Sequence, residues 1–240
     1  MASPTKKSAR RSPQTRKIIP NRVFLAIPWR NIRPKYERWV EKTRPKIALS
    51  FIIVGGEDTQ DAEDLLEVIK DRLSRSSYAI FDATGGNANV SLEYGYAEAQ
   101  KIPRALYLST HATARKTKDT PIIADLAGRR TNKYTRERSL HHLLTEFTKK
   151  HSYTQRFDQF LRKAFPKARA GQRARLRTLA IKVVRCLDHS PETSCVDVVN
   201  RLLNDDAKYQ SGEIDLILRK GNQYRVWFAP KGRHSKIRLL

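Results

Sequence analysis

A chain of 240 residues with 39% hydrophobic content can bury one large domain or two modest ones, which excludes wholesale disorder. Its 48 Lys and Arg against 24 Asp and Glu leave a formal net charge of +24, which calls for a polyanionic partner, nucleic acid being the commonest. There is no apolar run of about 18 residues to span a membrane, and Cys186 and Cys195 are too few for a disulfide framework or a four-ligand zinc site.

The first 18 residues, rich in Ser, Pro, Lys and Arg, read as a flexible basic arm without the apolar stretch of a secretory signal, so a cytoplasmic protein is expected. RVFLAIP (22–28) reads as a strand. A helix follows, with Ile32, Tyr36, Trp39 and Val40 on one face and Pro34 tolerated near its start. IALSFIIVGG (47–56) is a second strand stopped by two glycines. From Asp61, Leu65, Leu66, Ile69 and Leu73 mark an amphipathic helix with acids in its first turn. YAIFD (78–82) is a third strand, VSLEYGYAEAQK (90–101) a third helix and RALYLS (104–109) a fourth strand. After a polar loop, a short fifth strand is expected within 122–135, and a helix with Leu140, Leu143, Leu144 and Phe147 closes the unit near His151. This alternation predicts a Rossmann or flavodoxin-like α/β domain over 19–152, a parallel sheet with helices on both faces.

Residues 153–240 change character. FDQFLRKAF, LRTLAIKVVRCLDH and SCVDVVNRLLND read as helices, with Ser194 as N-cap of the last. EIDLILRKGNQYRVWFAP reads as two strand-like runs joined by a turn at Lys220-Gly221-Asn222. Helices followed by a hairpin are the order of a small winged-helix domain; a helical subdomain with a decorative hairpin fits the same spacing. Between residues 161 and 185 lie nine bases and no acid: Arg162, Lys163, Lys167, Arg169, Arg173, Arg175, Arg177, Lys182 and Arg185. They are the candidate phosphate contacts, against the plainer reading of a solvated helix face.

In an open parallel sheet, ligands sit beyond the carboxyl ends of the strands. The first strand delivers Pro28, Trp29 and Arg30 there, and the second delivers Gly55, Gly56, Glu57 and Asp58. The third delivers Asp82, Thr84, Gly85, Gly86, Asn87 and Asn89, and the fourth Ser109 and Thr110. Such a set lets a ligand approach backbone and offers small polar groups, an aromatic ring and acids. G-x-G-x-x-G does not follow the first strand and G-x-x-x-x-G-K-[ST] occurs nowhere, so conventional dinucleotide and P-loop binding are unsupported. Each residue also has a structural reading. Asp82 suits an Asx-turn, Gly85 and Gly86 the turn itself, and Glu93 the helix dipole; Trp29 and Trp39 suit a core. His141 and His142 have no metal-ligand partner at useful spacing, and no metal or cofactor is expected.

From Asp82 the chain follows D-x-T-G-x-N-x-N-V-x-x-E-x-G-Y-A through Thr84, Gly85, Asn87, Asn89, Val90, Glu93, Gly95, Tyr96 and Ala97. This pattern resembles that of nucleoside 2-deoxyribosyltransferase-like proteins and of TIR-like bacterial defence proteins, over roughly residues 18–150. The segment 120–134 is similar to their Pro-x-x-x-Asp-Leu stretch; Ala88 stands where a proline is usual, and Tyr94 where Leu or Ile is commoner. The resemblance implies cleavage of the base–sugar bond of a nucleotide or NAD, with the Glu93 carboxylate against the anomeric carbon. It further implies that Asp82 orients a ribose hydroxyl or assists base departure, that Asn87 and Asn89 hold Glu93 or the sugar, and that Trp29 or Tyr96 stacks on the base. A catalytic domain joined to a winged helix is similar to certain retron effectors of bacterial anti-phage defence. The nucleic-acid partner is there a retron RNA–DNA with its reverse transcriptase. Two readings need no Glu93 carboxylate: a nucleotide sensor, and a nucleic-acid-binding regulator that uses the α/β domain as scaffold. Oligomerisation is left open.

Overall fold

The computed structural model describes residues 17–29, 31–55, 62–110, 130–189, 193–205, 209–229 and 235–240. Five strands form one sheet: β1 (Ile19–Ala26), β2 (Ser50–Ile52), β3 (Ser76–Asp82), β4 (Arg104–Ser109) and β5 (Thr131–Tyr134). All pair in parallel in the order β2-β1-β3-β4-β5, the doubly wound, flavodoxin-like arrangement. Helices α1 (Arg33–Thr43), α2 (Ala62–Ser74) and α3 (Ala88–Ala99) carry the chain between β1, β2, β3 and β4, and α4 (Glu137–Lys150) follows β5. The expected α/β architecture is therefore present. The second strand is shorter than the apolar run 47–56 suggests, since only Ser50–Ile52 pairs with β1.

Alternate strand residues go to opposite faces. Val23, Leu25, Ile80 and Tyr107 pack with Tyr36 and Trp39 of α1 and Leu140 and Leu144 of α4. Phe24, Ala26, Ala79, Phe81 and Leu106 pack with Leu73 of α2 and Val90, Tyr94 and Ala97 of α3. Burial on both faces is why the strands read as continuous apolar runs. Pro34 lies in the first turn of α1, where its missing N–H costs no hydrogen bond.

The C-terminal region builds on the α1–α4 face. It comprises α5 (Ser152–Ala164), α6 (Ala170–His189), α7 (Cys195–Asp205), α8 (Ser211–Gln223) and an antiparallel ribbon of β6 (Trp227–Phe228) with β7 (Arg238–Leu239). Ser194 caps α7 as expected: its Oγ accepts from the Asp197 amide, while the Asp197 carboxylate accepts from the Ser194 amide. Ser194 also makes an antiparallel bridge to Lys236, just ahead of β7. The core is continuous from the sheet through Phe157, Phe160, Val183 and Ile217 to Trp227.

The hairpin centred on Lys220-Gly221-Asn222 is corrected. EIDLILRK is helical, and those three residues form its last turn. Ile214, Ile217, Leu218 and Gly221 are buried at spacings of three and four, the helical period. Reading the β-branched composition as strand overlooked that period. Gly221 serves close packing, since a Cβ there would overlap the Trp227 ring. Among the described residues, no helix is long and apolar enough to cross a membrane.

Candidate functional site

Strand order reverses between β1 and β3, because β2 lies on one side of β1 and β3 to β5 on the other. At that switch point lies a cleft of about 370 Å³. Ala26 and Ile27 from the end of β1, Ile53 and Val54 beyond β2, and Leu65, Leu66 and Ile69 of α2 make it apolar. Trp29, Arg33, Asn87, Asn89 and Glu93 are its polar and aromatic groups.

Glu93 sits in the first half of α3 with its carboxyl in this apolar wall. Burial alone pushes its pKa from 4.5 to about 7. Among the described residues, none donates a hydrogen bond to it, so nothing there offsets the desolvation. Trp29, expected either to stack on a ligand or to join the core, is 49% exposed at the cleft rim, with the Arg33 guanidinium 4.5 Å from its ring centre. Trp39, by contrast, belongs to the core.

Asn87 is the N-cap of α3, its side-chain oxygen accepting from the amides of Asn89 and Val90 at 2.9 and 3.2 Å. Two first-turn donors that a phosphate could otherwise use are thus already satisfied. Gly85 and Gly86 hold positive φ of 79° and 64°, and the Gly86 amide donates back to the Ala83 carbonyl. These glycines make the strand-to-helix turn itself.

Asp82 is fully buried and does not line the cleft. One carboxylate oxygen accepts from the Thr84 amide at 3.0 Å, the Asx-type bond expected. The other accepts from the hydroxyls of Tyr36 at 2.9 Å and Tyr134 at 2.7 Å. Burial raises its pKa, and these donors pull the other way. Thr84 Oγ1 accepts from the Ser109 amide, tying the end of β3 to β4. Asp82 and Thr84 therefore hold α1, β4 and β5 against β3 rather than reaching into the cleft. Tyr96 packs against the core on the α2–α3 side, outside the cleft lining, and Gly55 is buried. The Pro28 carbonyl accepts the Arg33 amide at the start of α1, and Thr110 donates its amide to the Tyr134 carbonyl. Arg30, Gly56, Glu57 and Asp58 lie outside the described residues.

Of the residues expected at the site, the fold thus gathers Trp29, Asn87 and Asn89 from the strand ends and Glu93 from the following helix. Arg33 and the α2 wall of Leu65 and Leu66 were missed. Arg33 opens the helix right after the β1 end, and that position was its only sequence signal; the α2 leucines read simply as a core-facing stripe.

The nine basic candidates divide. Arg175 pairs with Glu213 at 2.9 Å and lies against the Tyr209 ring, which Lys182 also faces. Arg177 pairs with Asp158. Arg185 turns inward: Nη1 donates to Asp188, and Nη2 lies 2.8–3.0 Å from the carbonyls of Arg44, Ile47 and Leu49. Asp188 in turn accepts from Asn21, at the start of β1. Arg185 is thus a bolt between α6 and the sheet rather than a phosphate contact. Arg162, Lys163, Lys167, Arg169 and Arg173 stay exposed.

Comparison with protein-family models and with curated proteins finds no match for the chain. Fold and cleft define a parallel α/β protein with a small, largely apolar site at its topological switch point.

Proposed function

We propose that the cleft cleaves the base–sugar bond of a nucleotide or NAD, as an N-glycosidase or deoxyribosyltransferase-like effector, and that the basic C-terminal region tethers the protein to nucleic acid. The setting is bacterial anti-phage defence of the retron-effector kind. The observation that carries this reading is the position of Glu93, a carboxyl in a largely apolar cleft that an exposed tryptophan, Trp29, also lines. Loss of a base from C1′ builds positive charge on the sugar, and a carboxylate held out of water meets that charge with little screening. It either stabilises the oxocarbenium ion or bonds to C1′ until water or another base takes the sugar. Trp29 offers a face for the departing base. Because Asn87 occupies the first-turn amides of α3, recognition runs through base and sugar rather than through a phosphate at the helix N-terminus. The order α6, α7, α8 and ribbon, with Ser194 bridged to Lys236, supports a winged-helix reading of the C-terminal region.

The test is release of free base from nucleosides, nucleotides and NAD by purified protein, followed by mass spectrometry. Glu93→Gln keeps the shape and removes the charge, and should lower turnover by about 10²-fold or more. Undiminished release by the variant overturns the assignment.

A further inference from the structure

A second depression, an open groove of about 560 Å³, lies between α5 and α6. Arg162, Arg173 and Arg177 line it together with Asp158, Leu161, Ala170 and Ala174. We infer that this groove grips a sugar–phosphate backbone, and that α8, the helix a winged-helix domain would lay in the major groove, is not the main contact. This inference rests on the reading that the C-terminal region holds nucleic acid, and it assigns the surface that does so.

Charge decides between the two surfaces. Arg162, Lys163, Lys167, Arg169 and Arg173 gather around the α5–α6 connection, and no acid occurs between Asp158 and Asp188. Among the described residues, none of the five meets a carboxylate; Arg173 donates only to the Ala168 carbonyl. Arg177 and Asp158 neutralise each other at one wall. On α8, Glu213 and Asp215 cancel Arg219 and Lys220, and Glu213 already holds Arg175. A polyanion thus finds uncompensated charge at the groove and none in sum on α8.

The chemistry of the lining sets the kind of recognition. It holds guanidinium groups, methyl groups and one paired carboxylate, with no aromatic ring to stack on a base and no carboxamide to read its edge. Binding is therefore to phosphates, independent of sequence and steep in salt. Among the described residues, the groove and the cleft share no lining residue.

The experiment measures anisotropy of labelled single-stranded DNA, duplex DNA and an RNA–DNA hybrid with the full chain across a salt series. Arg162→Ala with Arg173→Ala should weaken binding and flatten the log–log salt slope by roughly 1.4 to 1.8 units, while the Lys pair at the same positions retains most of it. Arg219→Ala with Lys220→Ala should leave the slope within error, and scrambled sequences should bind alike. A thermal melt matching wild type shows that each variant is folded. If the α8 pair flattens the slope and the groove pair does not, the groove assignment falls while the nucleic-acid reading stands. If the wild type binds none of the three probes, that reading falls as well.

Discussion

The indole of Trp227 occupies the space in which a side chain on Gly221 would have to sit, and its Nε1 donates to the Leu218 carbonyl at 2.9 Å. This contact turns the chain from α8 into β6. Gly→Ala inside a helix ordinarily gains about 0.5–1 kcal/mol. At Gly221 the sign should reverse, because the methyl forces the ring or the helix to move, a loss of about 1–3 kcal/mol or more. Gly95, on an exposed turn of α3 with nothing within 4 Å of its would-be Cβ, should show the ordinary gain. Urea denaturation of the two alanine variants compares them directly, and a stabilised Gly221→Ala contradicts the packing.

Tyr36 and Tyr134 both donate to one oxygen of a fully buried Asp82. Either Tyr→Phe change leaves the other donor in place and should cost about 1–3 kcal/mol. The double change leaves that oxygen with neither and should exceed the sum of the singles by about 0.5 kcal/mol or more. Strict additivity in a double-mutant cycle would mean the two hydroxyls do not share the carboxylate.

Burial lifts the Glu93 pKa from 4.5 to about 7, so the folded state holds the proton more tightly than the unfolded chain. The stabilisation from that proton is complete below about pH 4.5 and lost as pH rises through about 7. Glu93→Gln has no proton to lose. It should match wild type near pH 4 and be more stable at pH 8, by up to about 3 kcal/mol. Base release by the wild type should rise with pH through about 7, since the proposed chemistry needs the carboxylate. Equal stability of the two proteins at pH 8 would show a solvated Glu93.

Arg185 is the partner of a buried Asp188 and of three backbone carbonyls. Removing it strands a buried charge, so Arg185→Ala should cost about 3–5 kcal/mol. Below its melting point the variant should keep the salt slope of nucleic-acid binding, in contrast to the groove pair. A flattened slope with unchanged stability would reverse the roles.

Much of the fold was legible in the chain because it rests on local period. Val23 to Ala26 and Ala79 to Phe81 read as buried strands, and Tyr36, Trp39, Leu140 and Leu144 as helix faces, because steric geometry ties those spacings to one conformation. Ser194 was legible as a cap for the same reason. Alternating strands and helices also implied a parallel sheet with its ligand site at the carboxyl edge. Helix α8 was misread because β-branched residues and a Lys-Gly-Asn sequence mimic a hairpin, and only Trp227 explains the glycine. Sequence placed Asp82, Thr84 and Glu93 on the same edge but could not separate them. Strand order did that, setting Tyr36 and Tyr134 from distant segments around Asp82 and leaving Glu93 facing the cleft. The basic block likewise read as one feature. Asp188 lies one turn along α6 from Arg185, but Glu213 and Asp158, which meet Arg175 and Arg177, come from other helices, and that partnering exists only once the helices pack.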